Sequence, residues 1–141
     1  MKKKILFLVN DLSFFISHRL QIAESVVESG YSVFVGYGEL GSCEISFLKN
    51  RNIEAIYIPI NRAGMNPFKE IGSLFLILKL FLKIKPDIVH LVTIKPYLYG
   101  GIIARIAGVK GVVSSVSGLG TLFIEKKFNI RLLRALLYPI Y

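Results

Sequence analysis

The chain has 141 residues, of which 53% are hydrophobic and 19% charged, so it can fill the core of one domain and does not have the composition of a disordered protein. Its 18 Lys and Arg residues exceed 9 Asp and Glu residues, and the net charge of +9 predicts an anionic partner. A single cysteine, Cys43, excludes an intramolecular disulfide and a Cys-based zinc site.

The apolar pattern predicts the elements of a parallel α/β sheet. Short apolar runs alternate with longer segments of helical period, which is typical of strand-helix-strand units. In chain order the pattern predicts a strand over 5–9, a helix over 14–29, a strand over 32–35, a short helix over 43–50, a strand over 53–58, a long helix over 68–85, a strand over 87–92, a helix over 97–107 and a strand over 112–116. The first run stops at Asn10 and no small-residue cleavage site follows, so it is interpreted as a core strand and not as a secretory signal.

Glycine and proline mark the ends of these elements. Gly30 and Gly108 are expected to end helices, Pro67 to begin one, and Gly100 and Gly101 to allow close backbone packing. We therefore predict a single doubly wound, Rossmann-like α/β domain with strand order 3-2-1-4-5 and right-handed crossovers.

The topology directs attention to the carboxyl ends of the strands, where open parallel sheets bind their ligands. Loops after strands one, three, four and five would gather basic and small residues along this rim. Arg, Lys and the N–H groups at helix starts bind phosphate oxygens, so the rim is a candidate anion site. Its candidate residues are His18, Arg19, Arg62, Asn66, Lys95, Ser117, Gly118 and Gly120.

Several nucleotide and catalytic motifs are absent from the sequence. The segment after strand one contains no GxGxxG, which disfavours NAD and FAD, and no GxxxxGK[ST] loop is present. The serines near 114–117 lie in no GxSxG elbow, so serine hydrolase chemistry is unsupported. With two histidines and one cysteine, no metal site and no cofactor are expected.

Single residues also have structural interpretations. His18 fits a surface or helix-capping side chain as well as a ligand contact. His90 lies inside the apolar run DIVHLV and is interpreted as a hydrogen-bonded core histidine. Arg62 and Lys95 fit solvated charges as well as ligand contacts, and Gly118 and Gly120 fit either a tight turn or a backbone platform for substrate.

Several stretches together resemble the N-terminal domain of a family 4 glycosyltransferase of the GT-B fold, in the bacterial surface-polysaccharide and glycan branch. The resemblance covers nearly the whole chain. It rests on four stretches in matching order, FFISHRLQIAESVVESGYSVFVG, NRAGMNPF, KPDIVHLVTIKPYLYGGIIARIAGV and VSGLGTLF.

This resemblance implies a retaining enzyme without an essential metal that moves a sugar from a UDP-sugar to an undecaprenyl diphosphate-linked saccharide at the cytoplasmic membrane face. The identity of the sugar is not fixed by the resemblance, and an N-acetylhexosamine is one option. Residues 1–141 would form the acceptor-binding domain, and the donor-binding C-terminal domain would be absent. On this interpretation the chain is truncated, incomplete or half of a split enzyme, and inactive alone.

The resemblance also implies roles for individual residues. His18 and Arg19 match the pair that opens the first helix and would contact the acceptor or its diphosphate. Arg62 with Asn66, and Lys95 with Pro96, match segments of the neighbouring loops. Ser117 occupies a catalytic position where relatives often have His or Glu, and Val92 a position that often holds a second histidine, so both depart from the family pattern.

The charge suggests an anionic membrane as a further partner. The long helix contains GSLFLILKLFLKIK, which has too few apolar residues for a span of about 20 but suits an interfacial surface. The alternative is that this helix packs on the sheet with its lysines in water.

No nucleic acid is expected, because no aromatic-interleaved basic motif is present. The competing functional hypothesis is a non-catalytic scaffold subunit that recruits a separate donor domain to the membrane. The cationic candidates are Lys79, Lys83, Lys85, Lys126, Lys127, Arg131 and Arg134.

Overall fold

The computed structural model describes residues 2–41, 45–60 and 67–115. Within these ranges the elements have the predicted types and order, and their ends differ by a few residues. They are β1 (Lys4–Asp11), α1 (Leu12–Glu28), β2 (Ser32–Glu39), α2 (Ile45–Lys49), β3 (Ile53–Tyr57), α3 (Pro67–Ile84), β4 (Ile88–Val92), α4 (Ile94–Ile106) and β5 (Gly111–Ser115).

The five described strands form one parallel sheet in the order β3-β2-β1-β4-β5, which confirms the predicted topology. The central strand, β1, has six buried residues in succession because helices cover both of its faces. Strand order reverses between β1 and β4. The crevice above this pair is therefore the expected ligand site of the domain.

The pleat of β1 divides the core in two. Leu6 and Leu8 pack with residues of α3 and α4 on one face of the sheet. Phe7 and Val9 pack with residues of α1 and α2 on the other face. Each apolar helix face thus covers one side of the sheet, as expected for a doubly wound fold.

Helix ends follow their capping residues. The side chain of Asp11 accepts hydrogen bonds from the N–H groups of Ser13 at 2.7 Å and Phe14 at 3.4 Å, so α1 begins two residues earlier than predicted. Gly30 ends this helix with φ 86° and Gly108 ends α4 with φ 67°, as predicted. Both ends carry the paired backbone hydrogen bonds of a Schellman motif.

The end of β2 extends four residues beyond the predicted strand, to Glu39, and the start of α4 differs by three residues. The helix begins at Ile94, three residues before the expected start at Tyr97, because Pro96 falls in the first turn. A proline is tolerated there since the first-turn N–H groups have no partner within the helix. This shift brings Lys95 into the first turn of α4.

Only one of the two adjacent glycines in α4 is needed for close packing. A Cβ at Gly100 would overlap the Leu91 side chain and come within 3.0 Å of Leu8 Cδ2. A Cβ at Gly101 would meet Leu91 at 3.9 Å, an ordinary contact. The prediction for this pair is therefore confirmed at Gly100 and wrong at Gly101.

Candidate functional site

The candidate site is the rim above β1 and β4, where α1 and α4 both begin. α1 starts at the carboxyl end of β1 and α4 at that of β4, and the two helices cover opposite faces of the sheet. Their N-terminal ends therefore meet at the strand-order reversal. The Asp11 carboxylate caps the start of α1, whereas the start of α4 has no side-chain cap, so its partial positive charge favours anionic or hydrogen-bond-accepting ligands.

His18 lies about two turns into α1 and its side chain is exposed. Its ring stacks on Phe14 with centroids 4.2 Å apart, and its Nδ1 lies 2.6 Å from the Ser17 hydroxyl. The capping role that was one option for His18 is filled by Asp11. A surface position with one ring nitrogen engaged leaves Nε2 as the atom that a ligand would contact.

Arg19 is partly buried and lies beside the sheet. Its terminal Nη1 donates to the carbonyl oxygen of His18 at 3.1 Å, whereas its Nε is buried and has no partner among the described residues. Arg19 also lies close enough to His90, inside β4, for its charge to lower the pKa of that histidine.

His90 is the core histidine predicted from its place in DIVHLV. Its ring stacks on Phe7 with centroids 5.0 Å apart, and its Nε2 lies 2.8 Å from the Ser115 hydroxyl. Burial lowers the pKa of His90, and the positive charge of Arg19 lowers it further. The ring is therefore neutral near pH 7, and its contact with Ser115 joins β4 to the end of β5.

Lys95 lies in the first turn of α4 and is partly buried. Thr93, the residue before the helix, has φ 74° and does not cap it with its side chain. The Thr93 hydroxyl is buried and has no partner among the described residues. The helix start thus combines a cation with an uncapped end.

Asn10 is a rim residue that the sequence did not single out. It is 7% exposed, and its Oδ1 has no partner in the described part of the chain. The available signal was a polar residue directly after the apolar run ILFLV, at a position where the pleat returns to the core face. Thr93 was also missed, since its unusual backbone angle leaves no trace in the sequence.

The described structure places His18 and Arg19 about two turns into α1 and Lys95 in the first turn of α4, and the two helices lie on opposite faces of the sheet. The other five predicted site residues lie outside the described residues and stay predictions. They are Arg62, Asn66, Ser117, Gly118 and Gly120.

Comparison with known proteins identifies the family. The sequence model of the family described as "Glycosyl transferase 4-like" matches residues 4–140. The chain belongs to the glycosyl transferase 4-like family. No curated protein matches the sequence.

Solved structures similar to this family member share its fold. A glycosyltransferase from Rickettsia africae ESF-5 superposes with a TM-score of 0.62 at 18% identity, covering 81% of this chain and 30% of that one. MurG from Acinetobacter baumannii gives 0.58 at 20% identity, covering 79% and 35%. The chain therefore spans about a third of these two glycosyltransferases.

A third neighbour shows how widely the fold is used. The C-terminal domain of the PF1911 hydrogenase from Pyrococcus furiosus superposes with a TM-score of 0.56 at 15% identity, covering 82% of this chain and 94% of that domain. At such identities the likeness concerns the Rossmann-like α/β fold alone, so function is argued from the family and the site.

The described residues contain neither a candidate membrane span nor a candidate metal-binding group. None of the helices in residues 2–41, 45–60 and 67–115 is both long and apolar enough to cross a membrane. Over the same ranges, no three His, Cys, Asp or Glu side chains come together as a group that could hold a metal ion.

Proposed function

We propose that this family member is the acceptor-binding half of a retaining glycosyltransferase. It would act on a UDP-sugar, held by a separate donor-binding domain, and transfer the sugar to a polyprenyl diphosphate-linked saccharide. The family match over residues 4–140 is the observation that carries the proposal.

The described rim supports an anionic acceptor. Arg19 has a guanidinium N–H without a partner among the described residues, Lys95 adds a cation in the first turn of α4, and the uncapped start of α4 carries partial positive charge. A diphosphate carries several acceptor oxygens and needs such donors. In the proposed reaction these groups bind and orient the acceptor, and the donor domain closes over it to exclude water.

The direct test measures sugar transfer by the full-length form. A panel of UDP-sugars is incubated with a short-chain polyprenyl diphosphate-saccharide, and product is detected by mass spectrometry. We expect transfer from one donor with retention at the anomeric carbon, and no turnover by the 141 residues alone. A panel without any transfer overturns the enzymatic proposal, and tight binding of a separate donor-domain protein would then favour the scaffold alternative.

The role of Arg19 has its own test. Arg19→Ala should weaken binding of the soluble short-chain acceptor about tenfold, since a charge-assisted hydrogen bond contributes about 1.5–3 kcal/mol. Arg105→Ala removes the same charge from the exposed last turn of α4 and is the matched control. Equal loss in both variants would mean that only net charge matters.

We further propose that the domain lies peripherally on the cytoplasmic face of the membrane through α3. Ile71, Phe75 and Leu82 recur on one stripe of this helix and are 64%, 56% and 54% exposed. Lys79 lies 4.8 Å from the centroid of the Phe75 ring, and Lys83 occupies the last turn. Exposed apolar side chains flanked by lysines match an anionic lipid interface.

Liposome flotation tests this surface. The Phe75→Ser variant should reduce recovery with anionic vesicles, and Lys79→Ala should weaken binding about fivefold, from about 1 kcal/mol per well-placed lysine. Phe47→Ser is the matched control, because Phe47 is also exposed and lies beneath a cation, Arg51, on the opposite face of the sheet. Equal recovery of the wild-type chain with neutral and anionic vesicles overturns the electrostatic contribution.

A further inference from the structure

Two buried polar atoms at the rim lack hydrogen-bond partners in the described part of the chain. They are Oδ1 of Asn10 and Oγ1 of Thr93. Asn10 is 7% exposed, so water has little access to its amide. A buried polar atom without a partner costs stability, and a site that keeps two of them together calls for a reason.

The two residues lie near the ends of neighbouring parallel strands. Leu8 of β1 pairs with Leu91 of β4, and Asn10 and Thr93 each come two residues after this last pair. Leu8 and Leu91 belong to the core under α3 and α4. Because side chains alternate along a strand, Asn10 returns to this same face.

Rise per residue predicts which part of α4 lies above Asn10. Gly100 packs on Leu8, with its Cβ position 3.0 Å from Leu8 Cδ2. Moving from Leu8 to Asn10 advances about 6.6 Å along the strand, which equals about four residues of helix at 1.5 Å each. Since α4 runs back against the strand direction, we expect Lys95 and Pro96, at the uncapped start of the helix, at this height.

Thr93 is held in a strained conformation at this point. Its φ of 74° lies in the left-handed region, which a β-branched residue rarely adopts. The backbone is fixed on both sides, because the Thr93 N–H donates to Ser115 O at 3.2 Å and Thr93 O accepts from Tyr97 N at 3.1 Å. A strained backbone that lies next to unpartnered polar atoms points to a contact with a ligand.

We infer that Asn10 and Thr93 together bind one hydroxyl group of the acceptor saccharide, an inference that rests on the proposed function. A sugar hydroxyl donates to Asn10 Oδ1 and accepts from the Thr93 hydroxyl, so one ligand oxygen satisfies both buried atoms. A phosphate oxygen does not fit between them, because it has no proton to give to the Asn10 oxygen. The pair would select the saccharide, whereas the uncapped start of α4 with Lys95 would face its phosphates.

The experiment measures coupling between a ligand hydroxyl and the two side chains. The labelled 141-residue chain is titrated by NMR with methyl glycosides of glucose, galactose, mannose and N-acetylglucosamine, and then with the monodeoxy analogues of the tightest binder. We expect one analogue to bind about three- to tenfold more weakly, as the loss of hydrogen bonding predicts. Asn10→Leu and Thr93→Val should each weaken binding of the parent sugar by a similar factor, and they should leave the affinity for that deoxy analogue unchanged.

Two variants serve as controls. Thr93→Ser keeps the hydroxyl and should retain the coupling, while Asn50→Leu changes an exposed asparagine at the end of α2 and should alter nothing. The melting temperature of Asn10→Leu should equal or exceed that of the wild type, because leucine removes the unpartnered amide oxygen and continues the apolar face of Leu6 and Leu8.

The inference is overturned if no glycoside binds or if Asn10→Leu melts well below the wild type. It is also overturned if removing the ligand hydroxyl and substituting the side chain each weaken binding independently, so that their fold losses in affinity multiply. Its failure differs from that of the proposed function. If the coupling is observed but the full-length form transfers no sugar, the hydroxyl site is supported and the proposed reaction is refuted. If the full-length form transfers sugar but the effects multiply, the proposed reaction is supported and the hydroxyl site is refuted.

Discussion

The packing of α4 on the sheet gives a sharp prediction, because two adjacent glycines differ in their surroundings. Gly100→Ala would drive a methyl group into the Leu91 side chain and towards Leu8, both of which are fully buried. Gly101→Ala would place the same methyl group at an ordinary distance from Leu91. Both substitutions gain about 1 kcal/mol of helix propensity, so that contribution cancels between them.

The difference between the two variants therefore measures overpacking. Extra methyl groups in a filled core cost about 1–3 kcal/mol, so Gly100→Ala should be neutral or less stable than the wild type by up to about 2 kcal/mol. Gly101→Ala should be more stable by about 1 kcal/mol, which corresponds to about 4 °C in melting temperature. Urea unfolding followed by circular dichroism gives both values. Equal stability of the two variants, or a more stable Gly100→Ala, would refute the close approach of α4 to β1 and β4.

Three further predictions concern single residues. The lowered pKa of His90 means that the unfolded chain binds more protons than the folded chain below pH 6.5, so the free energy of unfolding should fall on acidification by up to about 1.4 kcal/mol per pH unit. In urea titrations at pH 7 and pH 5, His90→Gln should reduce the fall in the free energy of unfolding between the two pH values. An equal fall in the variant and the wild type would contradict this role of His90. Asp11→Ala should lose about 1 kcal/mol by removing the N-cap of α1, with Asn retaining most of it; a drop of equal size in Asp11→Asn would point to charge instead. Gly72→Ala lies on the open side of α3 with nothing within 4 Å of its Cβ, and should stabilise the chain by about 1 kcal/mol in thermal melts. A lower melting temperature there would show that this face is covered.

The order and type of the elements could be predicted because the evidence for them is local. A continuous apolar run such as ILFLV suits a doubly buried strand, and Gly30 and Gly108 carry the helix-ending signal in their identity. Parallel connections are right-handed, which left few topologies for five strands.

The site was predictable only in part. Lys95 could be predicted close to the end of a strand because it follows β4 after two residues in the sequence. The burial of Asn10 depends on elements distant in the chain, since β1 lies between β2 and β4, and the backbone of Thr93 is held by hydrogen bonds to Ser115 and Tyr97. Such long-range contacts leave no periodicity, and a threonine in the left-handed region contradicts its local preference.

The division of charge between the two faces of the sheet has a kinetic consequence. From Ile71 to Ser115, the region that includes most of α3 and all of α4, the chain has six Lys and Arg residues and one acid, Asp87, whose carboxylate accepts from the Lys4 N–H. Residues 2–41 and 45–60, which include α1 and α2, have six cations and five acids. The described part of the chain is therefore an electric dipole across its sheet, and the whole chain is a net cation. In the field of any anionic surface it should rotate during approach, within about 10 Å at 0.1 M salt, so that α3 and α4 arrive first. Salt would then lower the rate of association more than it raises the rate of release.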